Sequence, residues 1–148
     1  TVNSKDFRRV LKAQASPNGA IYDRSGKYIE YIQADTSCNA GLFQFIAKLN
    51  LTDMYNKHDS AGLKTELGKL RDLKGNQLKQ PDPADFYLLI YWAVWAGKLN
   101  KDHVKIWEDL ARENKNCKIK VIKVNLDLQQ YWDEQEREKI IKALSKKK

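Results

Sequence analysis

Cysteine is scarce in this chain. Only Cys38 and Cys117 occur among its 148 residues, too few for the multiple bridges that hold small disulfide-rich domains together. They form no C-x-x-C pair and have no metal-ligand spacing with His58 or His103. The sequence therefore predicts no metal site and no cofactor. Whether the two cysteines bridge each other cannot be read from their positions.

Long apolar runs are also missing. The longest, Phe86 to Gly97, is shorter than the roughly 20 residues that a membrane-spanning helix needs, so we expect no membrane span. Hydrophobic residues make up 42% of the chain and charged residues 31%, a profile typical of folded rather than disordered chains. A chain of 148 residues fits one domain with a real core.

Positive charge is in excess but is not concentrated. The formal net charge is +8, from 27 basic and 19 acidic residues that alternate along most of the chain. The one dense block is Lys146 to Lys148, after a predicted helix, where lysines complement the helix dipole. This pattern disfavours nucleic-acid binding, which usually requires a basic patch or stripe.

The first half of the chain predicts a helix, a hairpin and a second helix. Apolar residues three and four apart place a short helix at Ser4 to Ala13, with Ser4 as its N-cap. Two β-rich runs flank a turn that ends in Gly26, which indicates an antiparallel hairpin from Ala20 to Ile32. Residues 40–49 have a wide apolar helical face. Residues 50–68 are polar, and we expect a connection with some helix there.

The second half predicts a strand–helix–strand unit and a final helix. Leu70 to Leu78 indicates a small hairpin closing at Lys74-Gly75, and Phe86 to Trp92 indicates a central strand buried on both faces. A helical stripe over residues 100–114 and an alternating strand from Lys118 to Asn125 follow. The inward residues of the last helix, about 132–144, are predicted to be Trp132, Ile140, Ile141 and Leu144. The fold class is α/β, with a crossover between two parallel strands.

The residues that follow the central strand resemble a family motif. Trp92-Ala93-Val94-Trp95-Ala96-Gly97-Lys98-Leu99 is similar to the W-A-x-W-C-G-P-C motif of the thioredoxin-like family, especially its TlpA-like redoxin branch. Leu70 to Leu78 resembles the family's L-x-D-x-x-G hairpin, and Val121 to Asp127 resembles its v-x-v-d strand. The resemblance covers roughly residues 70–128, and it implies a thioredoxin-like mixed central sheet flanked by helices.

The same resemblance argues against thiol chemistry. Ala96 and Leu99 occupy the two cysteine positions, and Lys98 replaces the proline between Gly97 and Leu99. In active members, a thiolate is stabilised at a helix N-terminus, and a second thiol one turn away resolves the mixed disulfide. Ala and Leu can do neither, so we expect a domain that is not a dithiol oxidoreductase.

The order of the predicted elements suggests a circular permutation. The family's fold continues after this region with a helix, a strand that opens with a cis-proline, a second strand and a closing helix. The short helix before Pro17 matches the helix that precedes the cis-proline. Residues 15–31 resemble that proline-led hairpin, so Pro17 would be cis and lie near Ala96. The hypothesis is one domain, with 1–50 as the family's C-terminal half, 51–69 as a linker, and 70–148 as hairpin, crossover and final helix. The alternative is a trans loop proline beside an unrelated hairpin.

Three functional hypotheses follow. The first is non-catalytic binding of a protein or peptide in a groove by Trp92, Trp95, Ala96 and Pro17, although the two tryptophans could equally be core aromatics. The second is an enzyme that uses Cys38 as a lone reactive thiol at the start of helix 40–49. The third is a structural module in an envelope assembly.

The resemblance and the absence of an initiator Met suggest an extracytoplasmic location, in a periplasm or cell envelope. The sequence does not predict the oligomeric state.

Overall fold

Five strands form one sheet in the computed structural model, which describes residues 1–14, 17–31, 40–58 and 62–145. The strands are β1 (Asn18–Asp23), β2 (Tyr28–Ile29), β3 (Lys57–His58), β4 (Phe86–Trp92) and β5 (Ile119–Asn125). Their order across the sheet is β3-β2-β1-β4-β5. β4 and β5 are parallel, whereas the other neighbours are antiparallel. The result is an open mixed sheet, which agrees with the predicted α/β class.

Strand β4 is central, as its continuous apolar run predicts. It pairs with β1 on one side, where Ile21 lies opposite Leu88, and with β5 on the other, where Leu88 lies opposite Val121. Its residues from Phe86 to Tyr91 are all buried. Both faces of the sheet are therefore covered, which is the usual setting of a parallel pair.

Helices cover the two faces. They are α1 (Ser4–Ala13), α2 (Ala40–Lys48), α3 (Leu63–Gly68), α4 (Lys105–Glu113) and α5 (Glu134–Ser145). Successive side chains of β4 point to opposite faces: Leu89 belongs to one core cluster and Leu88 to the other. The first cluster includes buried residues of α1, α3 and α5, and the second includes those of α2 and α4.

Helix α1 starts where the sequence predicts, but its cap is a different residue. The N-cap is Asn3, whose Oδ1 accepts a hydrogen bond from the Asp6 amide at 2.9 Å. The prediction of Ser4 as N-cap was wrong by one position. The Ser4 hydroxyl instead donates to Glu136 of α5, because Asn3 already provides the oxygen that the first turn needs.

The predicted hairpin is confirmed as β1 and β2, and β3 extends it. Asp23 Oδ1 accepts hydrogen bonds from the Ser25 and Lys27 amides at 2.9 and 3.0 Å. Gly26 closes the turn with φ of +83°, a conformation that glycine adopts without steric cost. β3 was not predicted; it has two residues, Lys57 and His58, both exposed. The helix that was expected in the connection of residues 50–68 is α3.

The predicted hairpin at residues 70–78 is reduced to a tight turn. One isolated bridge joins Arg71 to Gln77, and Gly75 has φ of +85°. A second bridge joins Leu70 to Val2. This segment therefore pairs with the start of the chain and contributes no strand to the sheet.

The crossover unit is confirmed, and the last helix differs from its prediction in detail. β4, α4 and β5 follow one another, and α5 begins at Glu134, after Trp132. Trp132 and Ile140 are buried, but Ile141 and Leu144 are 42% and 40% exposed. The prediction that all four residues point inward was therefore wrong for Ile141 and Leu144, because only a narrow side of α5 contacts the core.

Candidate functional site

A tight turn follows β4 and contains Ala96 and Leu99, the two positions where the resemblance predicts a cysteine. Ala93 is fully buried, and Val94–Ala96 then form one turn of 3₁₀ helix. Gly97 has φ of +53° and has open space where a Cβ would stand, so the backbone conformation, and not packing, requires glycine there. Ala96 is half-buried, whereas Lys98 and Leu99 are exposed. The turn thus has a methyl group at Ala96 and an isobutyl group at Leu99.

Hydrogen bonds from the end of β5 hold this turn. Asp127 Oδ2 accepts a hydrogen bond from the Val94 amide at 2.9 Å and another from Asn125 Nδ2 at 2.7 Å. The Leu126 amide donates to the Trp92 carbonyl at 2.8 Å. The turn after β4 and the loop after β5 therefore form one unit at the carboxyl ends of the two parallel strands. Ligands of open α/β sheets commonly bind at such ends.

The helix after the turn begins irregularly. Asn100–Val104 have π-helical geometry, and the Lys105 amide donates to the Asn100 carbonyl. Asn100 Nδ2 reaches back to the Ala93 carbonyl at 2.8 Å. Single π-helical turns inside helices often occur at functional sites. Here the Asn100 side chain connects the irregular turn to the end of β4.

An aromatic stack includes His103 of the irregular turn. The rings of His103 and Trp107 are stacked, with centroids 5.6 Å apart, and Phe43 meets His103 at 5.7 Å and 80°. Within the described part of the chain, His103 Nδ1 and Trp107 Nε1 are buried without a hydrogen-bond partner. The ring contacts that His103 makes with Phe43 and Trp107 are typical of a packing histidine.

Trp95 lies on the rim of an apolar groove. It is 63% exposed, a large fraction for a tryptophan. The groove has a volume of about 590 Å³. Its lining residues come from α1, the turn after β4, the loop after β5 and α5: Phe7, Leu11, Trp95, Leu126, Asp127, Leu128 and Leu144. The groove is therefore built from parts of the chain that are far apart in sequence.

Of the four residues that the sequence grouped as one binding groove, Trp95 lines the groove described above. Trp92 is half-buried and packs with the core cluster of α2 and α4, on the other face of the sheet from α1 and α5. Pro17 directly precedes β1, in which Asn18 pairs with Tyr91, so it lies near the same end of the sheet as Trp92. Among the described residues, Trp95 lines the groove, but Trp92, Ala96 and Pro17 do not. The Ser16–Pro17 peptide bond lies outside the described residues because Ser16 does.

Cys117, the cysteine that lies among the described residues, is a poor candidate for a reactive thiol. Burial raises the pKa of the Cys117 thiol to about 11, and the negative charge of Asp85 adds to this effect. Its Sγ lies 3.3 Å from the Leu49 carbonyl, to which the thiol donates. A thiol with a raised pKa is a poor nucleophile at neutral pH. Cys38 lies outside the described residues.

Several residues of the site were missed by sequence reasoning. Asn125, Asp127 and Gln129 form a hydrogen-bonded series after β5, with Gln129 Nε2 donating to Asn125 Oδ1 at 2.8 Å. Polar side chains at alternate positions after a strand were the available signal. The apolar wall contributed by Phe7 and Leu11 had no such signal, because any amphipathic helix has the same spacing.

Across the described ranges, no group of three or more His, Cys, Asp or Glu side chains is placed to hold a metal ion. None of the helices in that same part of the chain has the length and apolar character needed to cross a bilayer.

The fold and the site define a class of protein: an α/β domain with an open, five-stranded mixed sheet and an apolar groove at the ends of its parallel strands. No protein-family model, curated protein or solved structure matches the chain.

Proposed function

We propose that this chain is a circularly permuted thioredoxin-like domain without thiol chemistry, and that it binds a peptide non-covalently in the groove beside Trp95. Three features of the described residues support this proposal: the order of the elements, the side chains of the turn after β4 and the exposure of Trp95.

The order of elements supports the fold. The family's order is strand, helix, strand, helix, proline-led strand, strand and closing helix. β4, α4 and β5 match the first three elements, and β1, β2 and α2 match the last three. The helix between them has two counterparts here, α5 after β5 and α1 before Pro17. The antiparallel pairing of Asn18 with Tyr91 brings Pro17 to the end of the sheet where the turn after β4 lies, as a permuted domain requires.

The side chains of the turn support the lost activity. Thiol–disulfide exchange needs a thiolate that attacks a disulfide sulfur, and no residue from Trp92 to Leu99 contains a thiol. The Ala96 and Gly97 amides donate to the carbonyls of Ala93 and Val94 at 3.0 and 3.1 Å. They therefore stabilise the turn itself.

The observation that carries the binding proposal is the exposure of Trp95 beside the apolar groove. A side chain that is 63% exposed contributes little to the core, yet it stands next to Leu128 and Leu144, themselves 41% and 40% exposed. Exposed apolar clusters of this kind mark interaction sites, and aromatic anchors in such clusters contribute most of the binding energy.

The experiment that tests the proposal is selection from a random dodecapeptide display library on the immobilised domain. We expect peptides that bind the wild type and lose affinity on the order of tenfold or more for Trp95→Ala. The matched control is Leu73→Ala, since Leu73 is 84% exposed and does not line the groove. Isothermal titration of the selected peptides gives the affinities.

Two outcomes would contradict the proposal. If no selected peptide distinguishes Trp95→Ala from Leu73→Ala, the groove is not the binding site. If the purified wild type reduces insulin disulfides in the presence of dithiothreitol faster than a Cys38→Ser, Cys117→Ser variant does, the domain has a thiol activity that this proposal denies.

A further inference from the structure

The groove beside Trp95 adjoins a second depression of different character. This depression has a volume of about 620 Å³ and shares Leu11 and Leu144 with the first. Its remaining lining residues are Lys5, Arg8, Arg9, Lys12 and Ala143. The two depressions therefore form one path along α1 and the end of α5, apolar beside Trp95 and basic beside α1.

Three basic side chains of the basic half belong to no ion pair among the described residues. Arg9 pairs with Asp6, but no ion pair within the described ranges includes Lys5, Arg8 or Lys12. All three of these side chains are exposed. The path thus offers positive charge that the described part of the domain leaves uncompensated.

Two carboxylates of α5 already have partners within the domain. Glu136 accepts from the Ser4 hydroxyl at the start of α1, and Glu138 pairs with Lys142 at 3.5 Å. In the apolar half, Asp127 is the one acidic side chain among the described lining residues, and it accepts from the Val94 amide and Asn125. A ligand with negative charge would therefore meet cations along α1 and one carboxylate that already has two donors.

We propose that the path selects acidic peptides: a bulky apolar side chain packs against Trp95 while neighbouring Asp or Glu side chains meet Lys5, Arg8 and Lys12. The inference rests on the proposed function and adds the substrate class to it. Charge complementarity argues for this occupant, because a purely apolar peptide would use half of the path and a basic peptide would be repelled by the other half.

The test uses the peptides selected from the dodecapeptide library described above. We expect them to carry net negative charge together with at least one Trp, Phe or Leu. Their affinity should fall about tenfold when Lys5, Arg8 and Lys12 are all changed to Gln. It should also fall when sodium chloride is raised from 50 to 300 mM, because salt screens exposed charges. Gln keeps the helix propensity of α1, and thermal melting verifies that the variant is folded.

A matched control removes the same number of charges elsewhere. Lys74, Lys79 and Lys115 are exposed and line neither depression, so changing all three to Gln should leave the affinity within about twofold of the wild type. Equal loss in both triple variants would show that only net charge matters and would overturn the inference.

The outcomes separate the inference from the proposed function. If Trp95-dependent peptides are selected but are neutral or basic, the acidic specificity is wrong while the peptide-binding function stands. If no Trp95-dependent peptide is selected, the function fails and the inference fails with it. Co-sedimentation with phosphatidylcholine–phosphatidylserine vesicles that depends on the α1 lysines, without acidic peptide binding, would assign the cations to a lipid surface and overturn the inference.

Discussion

At the scale of single residues, Asp127 connects the turn after β4 to the end of β5. Its Oδ2 accepts a hydrogen bond from the Val94 amide at 2.9 Å, and the Asp127 amide donates to Asn125 Oδ1 at 3.1 Å. A charged acceptor makes a stronger hydrogen bond with an amide than a neutral acceptor does. Asp127 therefore helps to position Trp95, which follows Val94 directly.

We predict that Asp127→Ala lowers the free energy of unfolding by about 1 kcal/mol, because the Val94 amide loses its acceptor. Asp127→Asn keeps an oxygen in place and should lose less. Urea denaturation followed by circular dichroism measures both, with Asp53→Ala as an exposed control. Equal stability of Asp127→Ala and wild type would show that the bond contributes nothing to the fold.

At the scale of elements, Asp23 joins the hairpin to the strand beyond it. It is 6% exposed, and its carboxylate accepts from the Ser25 and Lys27 amides and pairs with Lys57 of β3 at 2.8 Å. Burial acts to raise the pKa of Asp23, but hydrogen bonds from Lys57, Ser25 and Lys27, with the charge of Lys57, outweigh it and lower the pKa below its ordinary value.

The lowered pKa of Asp23 gives a prediction for pH dependence. The ionised carboxylate stabilises the fold above the ordinary aspartate pKa of about 3.9, and this stabilisation is lost as the pH falls through that value towards the lowered one. We expect Asp23→Asn to be less stable than wild type at pH 7, and the difference to shrink between pH 6 and pH 3. Urea denaturation at each pH measures this difference.

The Asp23 comparison needs a control because other carboxylates also titrate in this range. The pKa values of Asp85 and Asp109 are lowered by hydrogen bonds, from the Lys118 amide and from Lys105 respectively. They affect wild type and variant equally, so only the difference between the two reports on Asp23. A difference that stays constant from pH 6 to pH 3 would contradict the prediction.

Elements with a strong hydrophobic pattern could be predicted from the sequence, and elements with a weak pattern could not. β4 is a run of seven apolar residues, and α4 carries Trp107 and Ala111 on one buried side, so their patterns indicate their structure. β3 has two exposed residues, Lys57 and His58, and nothing in such a pair favours a strand over a loop. Its pairing with β2 is a tertiary effect that overrides local preference.

The candidate site was only half predictable for a similar reason. Trp95 was found because it belongs to a continuous motif. The walls of its groove come from Phe7, Leu126 and Leu144, and contacts across such sequence distances leave no local pattern. The exposure of Leu144 was missed because its helical spacing matches that of an inward residue.

At the scale of the whole molecule, the first and last helices assemble next to each other. Phe7 of α1 meets Trp132 edge-on with ring centroids 4.8 Å apart, and the Trp132 indole donates to the Val2 carbonyl at 3.2 Å. Val2 also bridges Leu70. The groove beside Trp95 lies between α1 and α5, so the proposed binding surface exists only if α1 folds with the rest of the domain.

We therefore predict that α1 belongs to the same cooperative unit as the sheet. Phe7 is 2% exposed, and Phe7→Ala should lower the free energy of unfolding by about 3 kcal/mol, because it leaves a cavity against Trp132. Far-ultraviolet circular dichroism and tryptophan fluorescence should show one coincident urea transition at lower urea concentration, whereas Leu73→Ala should leave the midpoint unchanged. Two separate transitions for Phe7→Ala would mean that α1 docks as an independent element, and the groove would then open without unfolding the sheet.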